Sequence, residues 1–128
     1  MPTAAELLAT LTAAPGRAAS VTHVESVPAR AGQTVDWPDW VDPLVRRRLQ
    51  ETGIRAPWSH QAAAASLAWA GHSVVVATGT ASGKSLVYLL PALTSARRDR
   101  SRTLYLSPTK ALAADQRRAL ETLAVPGT

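Results

Sequence analysis

Residues 73–88 constrain this chain more than any other stretch. Ser73-Val74-Val75-Val76-Ala77 is a short β-branched apolar run, Thr78-Gly79-Thr80-Ala81-Ser82-Gly83 is built of small residues, and Lys84-Ser85-Leu86-Val87-Tyr88 opens a longer apolar stretch. A run of the first kind suits a strand buried on both faces, because it leaves no polar side to put in water. The small residues permit a tight turn in which backbone N–H groups converge at close range. A helix read from about Lys84 to Arg97 then directs its N-terminal amides and its dipole into that turn. Strand, small-residue loop and helix in this order select an α/β architecture, and converging amides beside a lysine select a phosphate as the ligand.

Each residue of the loop has a place in that chemistry. Lys84, the candidate catalytic residue, reaches the β- and γ-phosphates of a nucleotide, and the Ser85 hydroxyl coordinates Mg²⁺. Gly83 lets the backbone approach the ligand closely. The candidate nucleotide-binding set is therefore Thr78, Gly79, Thr80, Ala81, Ser82, Gly83, Lys84 and Ser85. The usual spacing has a glycine five positions before Gly83, where this chain has Thr78. The plain alternative is a Gly-Lys-Ser sequence in an ordinary strand-to-helix turn.

The remaining segments organise around this unit. Ala4 to Ala14 reads as a helix stopped by Pro15-Gly16, and Ser20 to Val27 alternates valine with polar residues as an exposed-face strand would. Pro28 to Pro38 reads as a loop. A helix follows from Asp42 as cap, with Pro43 in its first position, to a stop at Gly53. Ser59 is the candidate cap of another helix that runs through the alanines to Trp69 and ends at Gly71. After the loop helix and a charged turn at Arg98 to Ser101, Arg102 to Ser107 reads as a second strand and Thr109 to Leu123 as a helix. Strand, helix, strand, helix implies a parallel sheet with right-handed crossovers.

Composition narrows the partners. The 128 residues carry 14 Lys and Arg against 9 Asp and Glu, a net charge of +5 that makes a polyanion such as nucleic acid a reasonable partner. Solubility alone would also account for surface arginine. No cysteine is present, so thiolate metal sites and disulfides are excluded, and His23, His60 and His72 lack ligand spacing. No segment approaches the roughly 20 apolar residues of a membrane helix, and a cytoplasmic protein is the expectation.

Three segments together resemble a superfamily-two helicase of the DEAD/DEAH-box type. Gly53-Ile54-Arg55-Ala56-Pro57-Trp58-Ser59-His60-Gln61 resembles the Q motif, in which the glutamine, here Gln61, reads adenine. Thr78 to Leu86 with Tyr88-Leu89-Leu90-Pro91 resembles motif I, which tolerates Thr78. Leu104-Tyr105-Leu106-Ser107-Pro108-Thr109-Lys110-Ala111-Leu112-Ala113, with Asp115-Gln116, resembles motif Ia. There Pro108, Thr109 and Lys110 would meet the nucleic-acid backbone through amides, a hydroxyl and a charge. Thr78-Gly79-Thr80 and Pro108 to Leu112 are similar to the bacterial RecQ-like repair helicases that carry a C-terminal metal-binding region. The resemblance implies ATP and Mg²⁺ as cofactors and DNA, single-stranded or forked, as partner. Its implied fold is an incomplete RecA-like P-loop lobe over 53–128, with parallel strands and flanking helices, preceded by a mostly helical extension over 1–52.

Such motors hydrolyse ATP with an acidic pair after a later strand. After Lys84 the acids are Asp99, Asp115 and Glu121, and none follows an apolar run. The expectation is a first lobe cut short, with the remainder of the motor outside this chain and no hydrolysis by this polypeptide alone. Two other readings stay open: a nucleotide- or nucleic-acid-binding fragment without turnover, and another P-loop NTPase such as a small-molecule kinase.

Overall fold

Helix boundaries follow the capping groups that the sequence supplies. The computed structural model describes residues 2–25, 27, 32–79 and 83–127, and among these are α1 (Ala4–Thr12), α2 (Pro43–Glu51), α3 (Ser59–Trp69), α4 (Ser85–Asp99) and α5 (Lys110–Leu123). Asp42 starts α2 as expected: its Oδ1 accepts from Leu44 N at 2.8 Å and Val45 N at 3.2 Å, with Pro43 at the first position. Thr109 starts α5 by accepting from Leu112 N at 3.2 Å. The start of α3 differs from the expectation. Ser59 is already helical and Trp58 is the cap residue, with Gln61 reaching back so that its Oε1 accepts from Trp58 N at 2.8 Å. A glutamine at the third helical position can do this as well as a serine can cap from outside.

Residues 1–31 and 32–128 form two separate compact units. In the first, α1 is closed by a reciprocal box in which Thr3 N donates to Glu6 Oε2 at 2.6 Å and Glu6 N to Thr3 Oγ1 at 3.2 Å. That backbone donor holds the Glu6 carboxyl below its usual range. No residue of α1 is buried, and the helix rests on its cap and local ladder. The strand expected over 20–27 is not present among the described residues: Ser20 closes a 3₁₀ turn, and Val21, Val24 and Val27 are exposed. Alternation marks a face, but a strand exists only with a neighbour to pair with.

In the second unit α4 is the central element. Leu86, Leu90 and Leu93 lie along one stripe of it and are buried, against Val45 and Leu49 of α2, Ala65 of α3, and Val41, Leu123 and Val125. The alanines of α3 allow its backbone to lie close to α4, and α3–α4 is the most extensive helix pair of the fold. Residues 33–35 pair briefly with 57–59, where Val35 N donates to Pro57 O at 3.0 Å and Ser59 N to Gln33 O at 2.8 Å. This bridge lies in the stretch expected to be loop, and it pins the start of α3. Helix α2, read above as part of an extension, belongs to the same unit as α3 and α4.

The segments 73–77 and 102–107, expected as parallel strands, form no ladder among the described residues. In the first, Val74 and Val76 are half-buried while Val75 is 94% exposed, the two-sided alternation of an extended backbone. In the second, Leu104 and Leu106 are exposed at 82% and 81%. Burial on both faces, expected of the first, is therefore absent among the described residues: one side is half-buried and the other bare. Two short extended segments cannot complete a sheet by themselves.

One polar cluster ties α2 to α4. Arg97 Nε lies 2.9 Å from Asp42 Oδ1, near enough for charge pairing though off the line of a hydrogen bond. Arg97 also donates to Pro126 O at 3.0 Å, and Thr94 Oγ1 accepts from Asp42 N at 3.3 Å. Burial acts to raise the Asp42 carboxyl, but the Val45 and Leu44 amides and Arg97 outweigh it and leave the group below its ordinary value. A lowered carboxyl stabilises the fold above its unfolded value of 3.8, and the contribution is lost as pH falls through the lower folded value. Asp42→Ala should cost about 2 kcal/mol in urea unfolding at neutral pH, since it removes a cap and leaves Arg97 unpaired. The same substitution should flatten the acid limb of stability below pH 3.8, whereas an unchanged limb would show that other carboxylates set it.

Candidate functional site

The two ends of the segment before α4 are held by two of the expected ligand-binding residues, Lys84 and Gln61. Lys84 caps α4, and its Nζ donates to the carbonyls of Thr78 at 3.0 Å and Gly79 at 2.6 Å. The ammonium thus folds back over the entry to the loop, where the carbonyl dipoles offset its charge. Gln61, which is 4% exposed, spans from the opposite side: Nε2 donates to Gly83 O at 2.9 Å while Oε1 holds the first turn of α3. Gly83 O also accepts from Leu86 N at 3.1 Å, inside the first turn of α4. The glutamine amide therefore joins the N-terminal ends of α3 and α4 at one carbonyl.

Glycine is required at 83 on two grounds. Its φ of +67° lies in the left-handed region, and a Cβ there would stand 2.4 Å from Gln61 Nε2. Gly79 has open space around it, so the structure gives it no such steric role. Thr80, Ala81 and Ser82 lie outside the described residues. Ser85 is the first residue of α4 and is half-buried. Gln61, Thr78, Gly79, Gly83 and Lys84 are thus brought into one hydrogen-bonded group, with Ser85 next to it.

The expected nucleic-acid turn is presented differently. Pro108, Thr109 and Lys110 are all exposed at the start of α5. The Thr109 Oγ1 already accepts from Leu112 N, and its hydroxyl hydrogen remains available for a phosphate oxygen. Ser107 Oγ donates to Thr109 O at 3.2 Å and steadies the turn.

Several contacts around the site had no sequence signal. Trp40 stacks on Trp69 with ring centroids 4.8 Å apart and planes 7° from parallel, and Arg98 lies over Trp69 at 5.8 Å. With Trp40 Nε1 donating to Ser66 Oγ at 3.1 Å, this stack fixes the chain before α2 to α3 and the end of α4. Arg47 and Arg48 pair with Glu51 on the surface, as a solvated helix face would. Among the described residues there is no cluster of three or more His, Asp or Glu that could hold a metal, and no helix long and apolar enough to cross a membrane.

Comparison with known proteins gives this geometry a context. The family model of the DEAD/DEAH box helicases matches residues 58–127. The uncharacterized ATP-dependent helicase YprA of Bacillus subtilis is 39% identical over 102 residues, which are 79% of this chain and 14% of that protein. The ATP-dependent helicase HRQ1 of Saccharomyces cerevisiae is 34% identical over 107 residues, 83% of this chain and 10% of that protein. A crystal structure of the DUF1998 helicase MrfA bound to DNA superposes with a TM-score of 0.74 at 34% identity, covering 96% of this chain and 17% of that one. A second, of MrfA bound to DNA and AMPPNP, gives 0.70 at 39% identity over 76% of this chain and 14% of the other. The chain thus spans a small part of the length of these relatives.

Gly83→Ala combines a left-handed backbone with a collision against Gln61, so it should lower stability by about 1–3 kcal/mol and break the Gln61–Gly83 bond. Gly79→Ala, with open space, should change the melting temperature far less. Equal effects of the two substitutions in thermal unfolding would contradict this account of the loop.

Proposed function

The chain belongs to the DEAD/DEAH box helicase family, and from that premise we propose that it holds Mg·ATP in the motor of an ATP-dependent DNA helicase. The observation that carries the reading is the Gln61–Gly83–Lys84 group, a preformed loop entrance built from residues that such a nucleotide site needs. The residues fit the ligand chemically. Lys84 offers an ammonium that can exchange loop carbonyls for β- and γ-phosphate oxygens. The α4 amides point their positive end at the same place. Ser85, first in α4, supplies the hydroxyl that would hold Mg²⁺, and the ion when bound would neutralise charge developing on the phosphates. Gln61 is the proposed reader of the adenine edge, with which an amide can pair in both directions, and to do so it would share or exchange its bonds to Trp58 N and Gly83 O.

Pro108, Thr109 and Lys110 are proposed to receive a DNA phosphate at the start of α5, supported by their exposure and by the helix end they occupy. Single-stranded or forked DNA is the proposed form of the partner, and the cytoplasm the proposed location. Segments 73–77 and 102–107 are proposed as strands of a parallel RecA-like sheet, supported by their extended alternation and bare apolar sides. The finer subgroup, RecQ-like repair helicases with a metal-binding region, is supported by Thr78-Gly79-Thr80 and Pro108 to Leu112 alone, and zinc content of the native polypeptide would test it.

A second reading, binding without turnover by this segment, is favoured by its acids. Asp99 ends α4, while Asp115 and Glu121 pair with Arg118 and Arg117 on the exposed face of α5. None of these carboxylates has the neighbourhood of a Mg²⁺ ligand, and under this reading the segment would bind nucleotide and release no phosphate.

Lys84→Ala should weaken Mg·ATP binding at least about tenfold in fluorescence titration, the loss of one charge-assisted contact. Unchanged affinity would overturn the proposal. Lys110→Ala should reduce the salt slope of single-stranded DNA binding by about 0.7, one phosphate contact. An unaltered slope would remove Lys110 from the interface.

A further inference from the structure

The exposed faces of α2 and α5 carry their charge differently. On α5 each arginine has its own acid: Arg117 pairs with Glu121 at 2.9 Å, and Arg118 pairs with Asp115. On α2 three arginines, Arg46, Arg47 and Arg48, are served by Glu51 alone. Arg48 takes one of its oxygens at 3.1 Å, and Arg47 lies 3.7 Å from the other, with both side chains of that second pair more than half exposed. Such a pair is worth little in water. No ion pair of Arg46 is present among the described residues. Three arginines against one glutamate leave α2 an excess of +2, out of +5 for the whole chain.

These charges border a groove. Pro43, Leu44, Arg46, Arg47 and Gln50 line an open cavity of about 470 Å³, and no carboxylate lines it. Gln50 stands one turn from Arg46 and Arg47, at i+4 and i+3, so three donor side chains ring one patch. The first-turn amides of Leu44 and Val45 are already taken by Asp42, so what the groove offers an anion is side chain. Its backbone is firmly held. Val45 and Leu49 are buried on the opposite face of α2, and Asp42 is paired with Arg97 of α4.

We propose that this groove is a second contact for the nucleic-acid backbone, in which Arg46 and Arg47 each receive a phosphate and Gln50 donates between them. The inference rests on the helicase reading above, which supplies the nucleic acid but places it only at the α5 turn. Guanidinium forks match phosphate oxygens two at a time, and they are more weakly hydrated than an ammonium. To an apolar body the groove offers only Pro43 and Leu44, which disfavours a lipophilic ligand or an apolar peptide. A polyanion gains from two neighbouring cations at once, because it releases its condensed counterions. The contact is with the backbone, so it adds affinity and orientation without reading sequence.

The test compares salt slopes for binding of the native polypeptide to a single-stranded oligonucleotide. Each phosphate contact contributes about 0.7 to the slope of log affinity against log salt. The double variant Arg46→Ala with Arg47→Ala should therefore lower the slope by about 1.4, and lysine at both positions should keep it. The loss caused by Lys110→Ala should add to that of the double variant, because the two places act independently. Affinity for Mg·AMPPNP without DNA and the melting temperature should stay unchanged, since both side chains stand in water. If alanine at both positions prevents folding, Arg46→Gln and Arg47→Gln taken singly decide, each with a loss of about 0.7. A slope left unaltered by removing the two arginines would overturn the inference, and if Lys110→Ala still lowers it the helicase reading stands. An unmodified protein that binds no nucleic acid would overturn both.

Discussion

The site depends on a single hydrogen bond from the Gln61 side chain to the Gly83 carbonyl. Gln61 is buried, and its amide has already been used once to close the start of α3. By also taking the carbonyl of Gly83, it fixes the spacing between the N-terminal ends of α3 and α4. The rest follows from that spacing. Lys84 and Ser85 emerge at the start of α4 because Gly83 can adopt a left-handed backbone there. Leu86, Leu90 and Leu93 then carry the helix into the core, so a displacement of the loop would have to move buried leucines with it. The ends of the loop, at Gly79 and Gly83, are thus held by packing and hydrogen bonds before any ligand arrives.

The chain before α3 stabilises the same arrangement from outside. The Thr34–Trp58 bridge, the Trp40–Trp69 stack and the Asp42–Arg97 pair hold α2, α3 and α4 together. Each joins groups far apart in sequence, which is why residues 32–57 belong with α3 and α4 physically and not only by order along the chain.

Much of this was legible in the sequence. Asp42 and Pro43, Gly83-Lys84-Ser85 and Thr109 are local signals, because capping and loop chemistry are decided within a few residues. The helices α2 to α5 accordingly lie close to where their caps and stops place them. The contacts of Gln61 with Gly83, of Tyr88 with Gln116 and of Asp42 with Arg97 span 22, 28 and 55 positions and leave no periodic trace. Ser59 was misread as a cap because the glutamine at the third helical position performs that task. The strand expected at Ser20 to Val27 shows the other limit of pattern reading. Alternating valines state that a segment can lie on a sheet, whereas pairing depends on what the rest of the fold offers. Segments 73–77 and 102–107 present the same problem in an extended form, with Val75, Leu104 and Leu106 bare.

The central proposal is that residues 78–87 receive the phosphates of a nucleotide, with Gly83 already held by Gln61 and the carbonyls of Thr78 and Gly79 by Lys84. Hydrogen–deuterium exchange of these amides in the native polypeptide, with and without Mg·AMPPNP, tests it most directly. The account predicts that the amides of the loop and the first turn of α4 slow by at least about tenfold on adding the nucleotide, as phosphate oxygens become their acceptors. Unchanged exchange across residues 78–87 at a saturating nucleotide concentration would contradict it.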